Sequence, residues 1–488
     1  MGRLALSGCC ARNPAGISTS IWEMFMATAK LALFICATTS ADIPQEAFQS
    51  AKNCLLDGLA VGLAGSQHPS VNMITEYVRS NGGGTDAAVI GSGFKTSLPM
   101  AGLVNGTMCH VLDFDDTSWK LRGHPTAVIL PAALAVGEKV GANGTEVLLA
   151  YILGFEAVCR IAGAIQPANY NRGYHSTSAI GIFGAATAAA KLLKLSPDQL
   201  RCAYGIAASK SGGLRANFGT PTKPLQAGFA AHDGIVSAML AKLGYGANPD
   251  ILETEFGLAH VLGEGEPNEA PFGAPESPLA ILSSGVVVKQ YPTCARTHTA
   301  IDAALSIVLT HHITPSQIAN ILCETDDETF KILIHPLPQT GLEAKFSMPY
   351  CLARACLEGG LGLEHFRDET IGDPAVRELM DRVQHRVSDA IVEKGFDFRA
   401  SSNVIITLTD GRVFRKSVDK AKGNPEIPLS FEELSNKFLT CSEPVLESEN
   451  VAKVLSVINH FENVTDVRDL MRLVISKANS TSMIAERS

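Results

Sequence analysis

Aromatic residues are scarce in this chain: Phe, Tyr and Trp make up 6% of 488 residues, with only two tryptophans. With 43 glycines and abundant alanine, that composition favours close-packed helices over a β-sandwich. Positive charge is also in deficit. Forty Lys and Arg against 49 Asp and Glu give a net charge of −9, which argues against a general nucleic-acid binder. Charged residues of both signs reach only 18% and hydrophobic residues 46%, so a disordered chain is excluded. No CxxC pair occurs among the twelve cysteines. A zinc ribbon or disulfide framework would space them differently, and buried thiols in a reducing compartment are expected. The apolar stretch at 31–36 is too short to span a bilayer, and no membrane segment is read elsewhere. The sequence GSGFKTS at 91–97 has Phe94 where a phosphate loop needs Gly before Lys95, so no nucleotide site is read there.

The length calls for two folding units. Asp42 and Pro44 are expected to open a helix running to Gly65. Alanine-rich helices are expected at 125–141, 145–164, 177–194, 197–210 and 225–243. A Pro/Gly/Glu loop at 263–277 marks the boundary candidate. Beyond it, 286–291, 318–324 and 403–409 read as strands, with a hairpin turn into 413–418. Helices at 296–309, 345–358 and 374–390 lie between them. Ser430 to Glu433 reads as a capping box that returns the chain to helix, with amphipathic stretches at 447–461 and 465–476. The expected fold is mainly α: a large all-helical domain (28–285 and 423–488) with an inserted α+β lid domain (286–422). Residues 1–27 are expected to be a disordered extension. Its Arg3 and Arg12, its Ser and Thr, and the lack of acids before Glu23 suit a weak mitochondrial presequence on an otherwise cytoplasmic protein.

Charge is unevenly spread. Residues 157–232 hold eight Lys and Arg and a single acid, Asp198, for a net +7, whereas 243–288 holds seven acids and no Lys or Arg. Lys191 and Lys194 read as a solvated helix end. The polar loop from Arg215 to Lys223 reads instead as the wall of a pocket for a small polyanion.

The densest chemistry is HVLDFDDT at 110–117, followed by His124. Four readings compete. Asp113, Asp115 and Thr117 match the DxDxT pattern of haloacid-dehalogenase-type phosphatases, but in a helical context. An Asp-rich box in an α protein suggests a terpene synthase, but the third Asp is missing. His110, Asp113 and Asp115 could bind a metal, but no second ligand cluster is evident. In the favoured reading the carboxylates cap and orient, and His124 is the acid/base; no metal or organic cofactor is expected. Two further polar segments carry His175 and the set Lys289, Cys294, Arg296 and His298.

The ordered motifs HVLDFDDT (110–117), RGYHSTSAIG (172–181), GLRANFGTPTKPLQAG (213–228) and VKQYPTCARTHTAID (288–302) resemble the MmgE/PrpD family of 2-methylcitrate dehydratases and cis-aconitate decarboxylases. The resemblance covers about residues 28–475. It implies a homodimer of helical subunits with an inserted lid, acting on tricarboxylates without a cofactor. It implies catalytic roles for Asp113, Thr117, His124, His175 and Lys223, and contacts to substrate from Lys289 and Tyr350. Cys294 stands where animal decarboxylases have His, with His298 one turn on. Arg215, Cys294 and His298 are further substrate-binding candidates. The expected activity is dehydration of 2-methylcitrate or a longer alkylcitrate. The alternatives are decarboxylation of cis-aconitate or a relative, epimerisation, a haloacid-dehalogenase-type phosphatase, and a non-catalytic member of the family.

Overall fold

The computed structural model describes residues 26–263, 272, 278–395 and 400–475. Most of the expected N-terminal extension and boundary loop, and the last residues of the chain, lie outside these. The protein is mainly α-helical. The helices of eleven or more residues are α1 (Ala27–Ala37), α2 (Gln45–Gly65), α3 (Pro69–Asn81), α4 (Leu98–Val111), α5 (Thr126–Val140), α6 (Gly144–Ile165), α7 (Gly181–Leu192), α8 (Pro197–Ala208), α9 (Thr222–Lys242), α10 (His298–Thr310), α11 (Met348–Glu358), α12 (Phe431–Ser442) and α13 (Ser448–Asn459). Local chemistry sets several of the ends. Asn143, Ser196 and Ser430 each form a capping box with the Glu or Gln three residues on. Gly141 ends α5 in the left-handed region at φ 67°.

Buried apolar side chains form two clusters. One draws on residues from Ala27 to Ile281 and again from Leu434 to Val474. The other runs from Tyr291 to Leu408, with Tyr170 reaching into it. The second surrounds a four-stranded sheet built from β1 (Ile318–Thr325), β2 (Val383–Val387), β3 (Ser402–Leu408) and β4 (Val413–Val418). Its order is β2–β1–β3–β4, with β1 and β2 parallel and the other pairs antiparallel. The β3–β4 hairpin turns at Gly411, φ 85°, at the position read from the sequence.

Several expectations are corrected. Residues 286–291 join no sheet. Val287 exchanges backbone hydrogen bonds with Thr117 (2.7 and 2.9 Å) and Val288 donates to Gly423 (2.9 Å), so this β-branched run is satisfied by separate loops. The expected helix at 374–390 stops at Met380 and gives way to β2. Asp42 does not cap α2; its carboxylate accepts from Thr39 N (2.8 Å) in a short 3₁₀ turn. Lys191 is not a solvated helix end. Its ammonium donates to Ile35 O (2.9 Å), Cys36 O (3.1 Å) and Thr38 O (2.6 Å), closing the C-terminus of α1. Helix α6 is long and apolar enough to cross a membrane, with a mean hydropathy of 1.8, but 89% of that stretch is buried inside the protein.

Packing of α4 against α9 positions the site. A Cβ on Gly228 would lie 2.3 Å from both Leu103 O and Thr107 Oγ1, so only glycine permits this approach. The contact brings the start of α9, with Lys223, to the segment that follows α4.

Candidate active site

After α4 the chain turns sharply. Asp113 sits at φ 50°, a left-handed conformation that Asp tolerates better than most residues. Three consecutive carbonyls in this turn each accept from a different buried lysine. Leu112 O takes Lys345 Nζ (2.6 Å), Asp113 O takes Lys289 Nζ (2.7 Å) and Phe114 O takes Lys437 Nζ (2.8 Å). The same lysines also reach the segment carrying the later motif: Lys345 donates to Pro292 O (2.8 Å) and Lys437 to Lys289 O (2.9 Å). Lys437 is paired with buried Asp57 at 2.6 Å. Distant parts of the chain are thus held together by ammonium–carbonyl bonds, which are stronger than neutral ones.

The Asp113 carboxylate accepts from Lys223 Nζ (3.0 Å) and Lys289 Nζ (2.8 Å) at one oxygen, with His124 Nε2 at 3.6 Å. Its neighbouring cations hold Asp113 well below the usual carboxylate range, against the opposing effect of burial. Asp115 faces His110 Nδ1 (2.8 Å) and His124 Nδ1 (3.1 Å), and these imidazoles likewise depress it against burial. Asp116 points elsewhere. It accepts from Thr126 N (3.3 Å) at the start of α5 and from the Thr126 hydroxyl, and burial, reinforced by Asp57, raises it to about 8. The capping and orienting roles expected of this cluster are therefore divided among the three carboxylates.

His124 follows Gly123, where a Cβ would lie 2.7 Å from Thr177 N, and its own N–H donates to Thr177 Oγ1 (3.1 Å). Burial lowers its basicity, with Asp115 opposing. His175 Nδ1 lies 2.7 Å from Gln226 Oε1, and the Gln226 amide donates to Leu214 O (3.2 Å). That second bond orients the amide, so Nδ1 carries the proton and the buried His175 Nε2, which has no hydrogen-bond partner among the described residues, is the basic nitrogen. Burial depresses His175 as well.

Asp113, His124, His175, Lys223 and Lys289 line one cavity with Thr117, Tyr170, Phe218, Cys294 and Phe346. Of the expected residues, Asp113, Thr117, His124, His175, Lys223, Lys289 and Cys294 come together there. Lys223 lies in the first turn of α9 rather than in the preceding loop. Burial raises the Cys294 thiol, which makes it a poor nucleophile. Three residues are not brought in. Arg215 packs behind the wall, its guanidinium 3.8 Å from the centre of the Tyr170 ring. His298 lines a separate, adjoining cavity. The Tyr350 hydroxyl donates to His365 O inside the second cluster. Lys345, Lys437 and Gln226 are functional candidates that the sequence reading missed.

His110, Asp113, Asp115 and His124 offer four potential ligand atoms within 4.8 Å of one another. Lys223 and Lys289 already place two ammonium groups on Asp113 Oδ1, and their positive charge opposes a divalent ion bound beside them. The donor set is thus better suited to proton transfer than to holding a divalent ion.

A mainly helical protein with buried lysines, histidines and carboxylates around one cavity is equipped for acid–base chemistry on an anion. Residues 29–270 match the MmgE/PrpD N-terminal domain and residues 291–463 the MmgE/PrpD C-terminal domain. The chain belongs to the MmgE/PrpD family. It is 31% identical to cis-aconitate decarboxylase of Mus musculus over 439 residues, covering 87% of this chain and 88% of the relative. The Homo sapiens cis-aconitate decarboxylase is 30% identical, with 90% and 92% covered. The 2-methylcitrate dehydratase of Cupriavidus necator is 25% identical, with 75% and 79% covered. These relatives are lyases, and this chain is a lyase of the same family.

Proposed function

We propose that the protein is a carboxy-lyase acting on cis-aconitate or a related unsaturated tricarboxylate. The expected alkylcitrate dehydration gives way to this alternative because the decarboxylases share more of the sequence, over more of its length, than the dehydratase does. The structural observation that carries the reading is the pairing of buried Lys223 and Lys289 with the imidazoles of buried His124 and His175 around one cavity.

In such a reaction the bond to the departing carboxylate breaks and its electron pair passes into the adjoining alkene system. Lys223 and Lys289 hold the charge that develops there, as preorganised cations in a water-poor site. Carbon dioxide leaves, and His124 or His175, in its protonated form, delivers a proton to carbon. That imidazole is then recharged from solvent, so one proton is consumed per turnover. Asp115 orients His124 and Gln226 orients His175.

The test is incubation with cis-aconitate, citrate, 2-methylcitrate and longer alkylcitrates, with products identified by NMR and gas release measured. Carbon dioxide and a methylenesuccinate from cis-aconitate are expected. Loss of water from a citrate-type acid, with no carbon dioxide from any substrate, would overturn the proposal in favour of dehydration.

A further inference from the structure

Beside the lysine–histidine cavity lies a larger one of ≈ 680 Å³, and the two share Trp119, Arg122, Ala295 and Arg296 as lining. At this junction three charged side chains meet. Glu328 lies between two guanidinium groups, with Oε1 3.2 Å from Arg122 Nη1 and Oε2 3.0 Å from Arg296 Nη2. Arg122 comes from the loop before His124, whereas Arg296 and Glu328 come from the later half of the chain. All three line the same cavity as Lys223 and Lys289.

The neighbouring acid has a structural role. Asp326 also approaches Arg296 (3.4 Å), but it is fixed by Thr329 N (2.9 Å), Thr329 Oγ1 (2.6 Å) and Ala400 N (3.0 Å). It caps a short helix and holds a loop. Glu328 instead extends from the first turn of that helix into the cavity wall and bridges two arginines with its two oxygens. Two guanidinium groups that hold one carboxylate between them, one oxygen each, offer charge-assisted donors that a ligand carboxylate can also use.

We propose that Arg122 and Arg296 form a second carboxylate subsite, occupied in the protein alone by Glu328, and that a remote carboxylate of the substrate takes the place of Glu328. The inference rests on the tricarboxylate reading above. Lys223 and Lys289 receive the reacting end of such an acid, and the arginine pair receives a carboxylate that does not react. A substrate with too few carboxylates binds only the lysines and leaves Glu328 in place, which makes the pair a specificity device.

The test uses propane-1,2,3-tricarboxylate, a saturated acid with no alkene to react, and succinate, which has two carboxylates. Both are titrated calorimetrically into the wild-type enzyme, Glu328→Gln, Arg122→Met and Arg122→Lys, each first shown to be folded by circular dichroism. Glu328→Gln removes the internal competitor and should tighten the tricarboxylate by roughly 5- to 20-fold, since a larger fraction of molecules is then ready to bind. Arg122→Met should weaken it at least about tenfold, with partial recovery in Arg122→Lys. Succinate affinity should change less than about twofold in every variant. Unchanged or weaker tricarboxylate binding in Glu328→Gln makes Glu328 a structural clamp and overturns the subsite, as does undiminished binding in Arg122→Met. If the wild-type enzyme binds neither acid, the tricarboxylate reading itself falls, and the subsite with it.

Discussion

Replacing single lysines of the basic span by methionine separates a catalytic cation from a structural one and from a surface one. Lys223 is buried and donates to Asp113 at 3.0 Å inside the cavity. Lys223→Met keeps the apolar stem and removes one of the two ammonium groups lining the cavity. Loss of one preorganised donor costs about 2–4 kcal/mol in the transition state, or roughly 30- to 1,000-fold in kcat/KM. Lys191 makes three hydrogen bonds to the end of α1. Lys191→Met should therefore leave kcat/KM within about twofold and cost about 1–3 kcal/mol of stability, seen as a drop of several degrees in apparent Tm. Lys194 is exposed, in the left-handed region at φ 57°, and Lys194→Met should change neither quantity by more than about 0.5 kcal/mol. The assay is initial-rate kinetics on cis-aconitate alongside thermal unfolding of each variant. Comparable, small losses of kcat/KM at all three positions would refute the reasoning, because the local concentration of positive charge would then be incidental to catalysis.

His124→Ala should reduce turnover by about 100-fold or more while leaving the far-ultraviolet circular dichroism spectrum unchanged; near wild-type turnover would remove His124 from the proton-transfer step. Burial lowers His110 and His298 to about 3 in the folded protein, so each contributes stability that is complete above its unfolded value of about 6.5 and is lost as pH falls toward 3. Asp116, raised to about 8, gives a slope of opposite sign over pH 6 to 4, so the check is a difference: urea unfolding of His298→Gln should lose about 1.4 kcal/mol less per pH unit than the wild type over that range, and equal slopes would refute the assignment.

Much of the helical framework is legible because its signals are local. Ser196, Ser430 and their partners three residues on are adjacent in sequence, and so is the hairpin turn at Gly411. The failures share a different cause. The run at 286–291 has strand composition, but its hydrogen-bond partners are Thr117 and Gly423, far away in sequence. Helix α9 begins at Thr222, before Pro224, because proline costs nothing in a first turn whose N–H groups have no helical acceptor. Lys191 looks like a solvated residue until α1, more than 150 residues earlier, is packed beneath it.

The same division runs through the site. The residues found from sequence lie in polar clusters, where a histidine beside Lys, Arg or Thr stands out from the helical background. Gln226, which orients His175, stands alone between Leu225 and Ala227 and gives no such signal. Lys437 did leave one: it occupies the buried stripe of α12 with Leu434, Phe438 and Cys441, a position where an amphipathic pattern calls for an apolar side chain. A lysine there must find acceptors inside the protein, and it finds Asp57, Phe114 O and Lys289 O. Burial sets the chemistry in a similar way. Lys223 and Lys289 balance the charges of Asp113 and Asp115, while desolvation keeps His124 and His175 from ionising readily. A substrate carboxylate about 4 Å from an imidazole, at an effective dielectric near 20, is worth about 4 kcal/mol, or roughly three pKa units. A bound polyanion would therefore raise the histidine next to it and favour the protonated form that the proposed proton transfer to carbon needs.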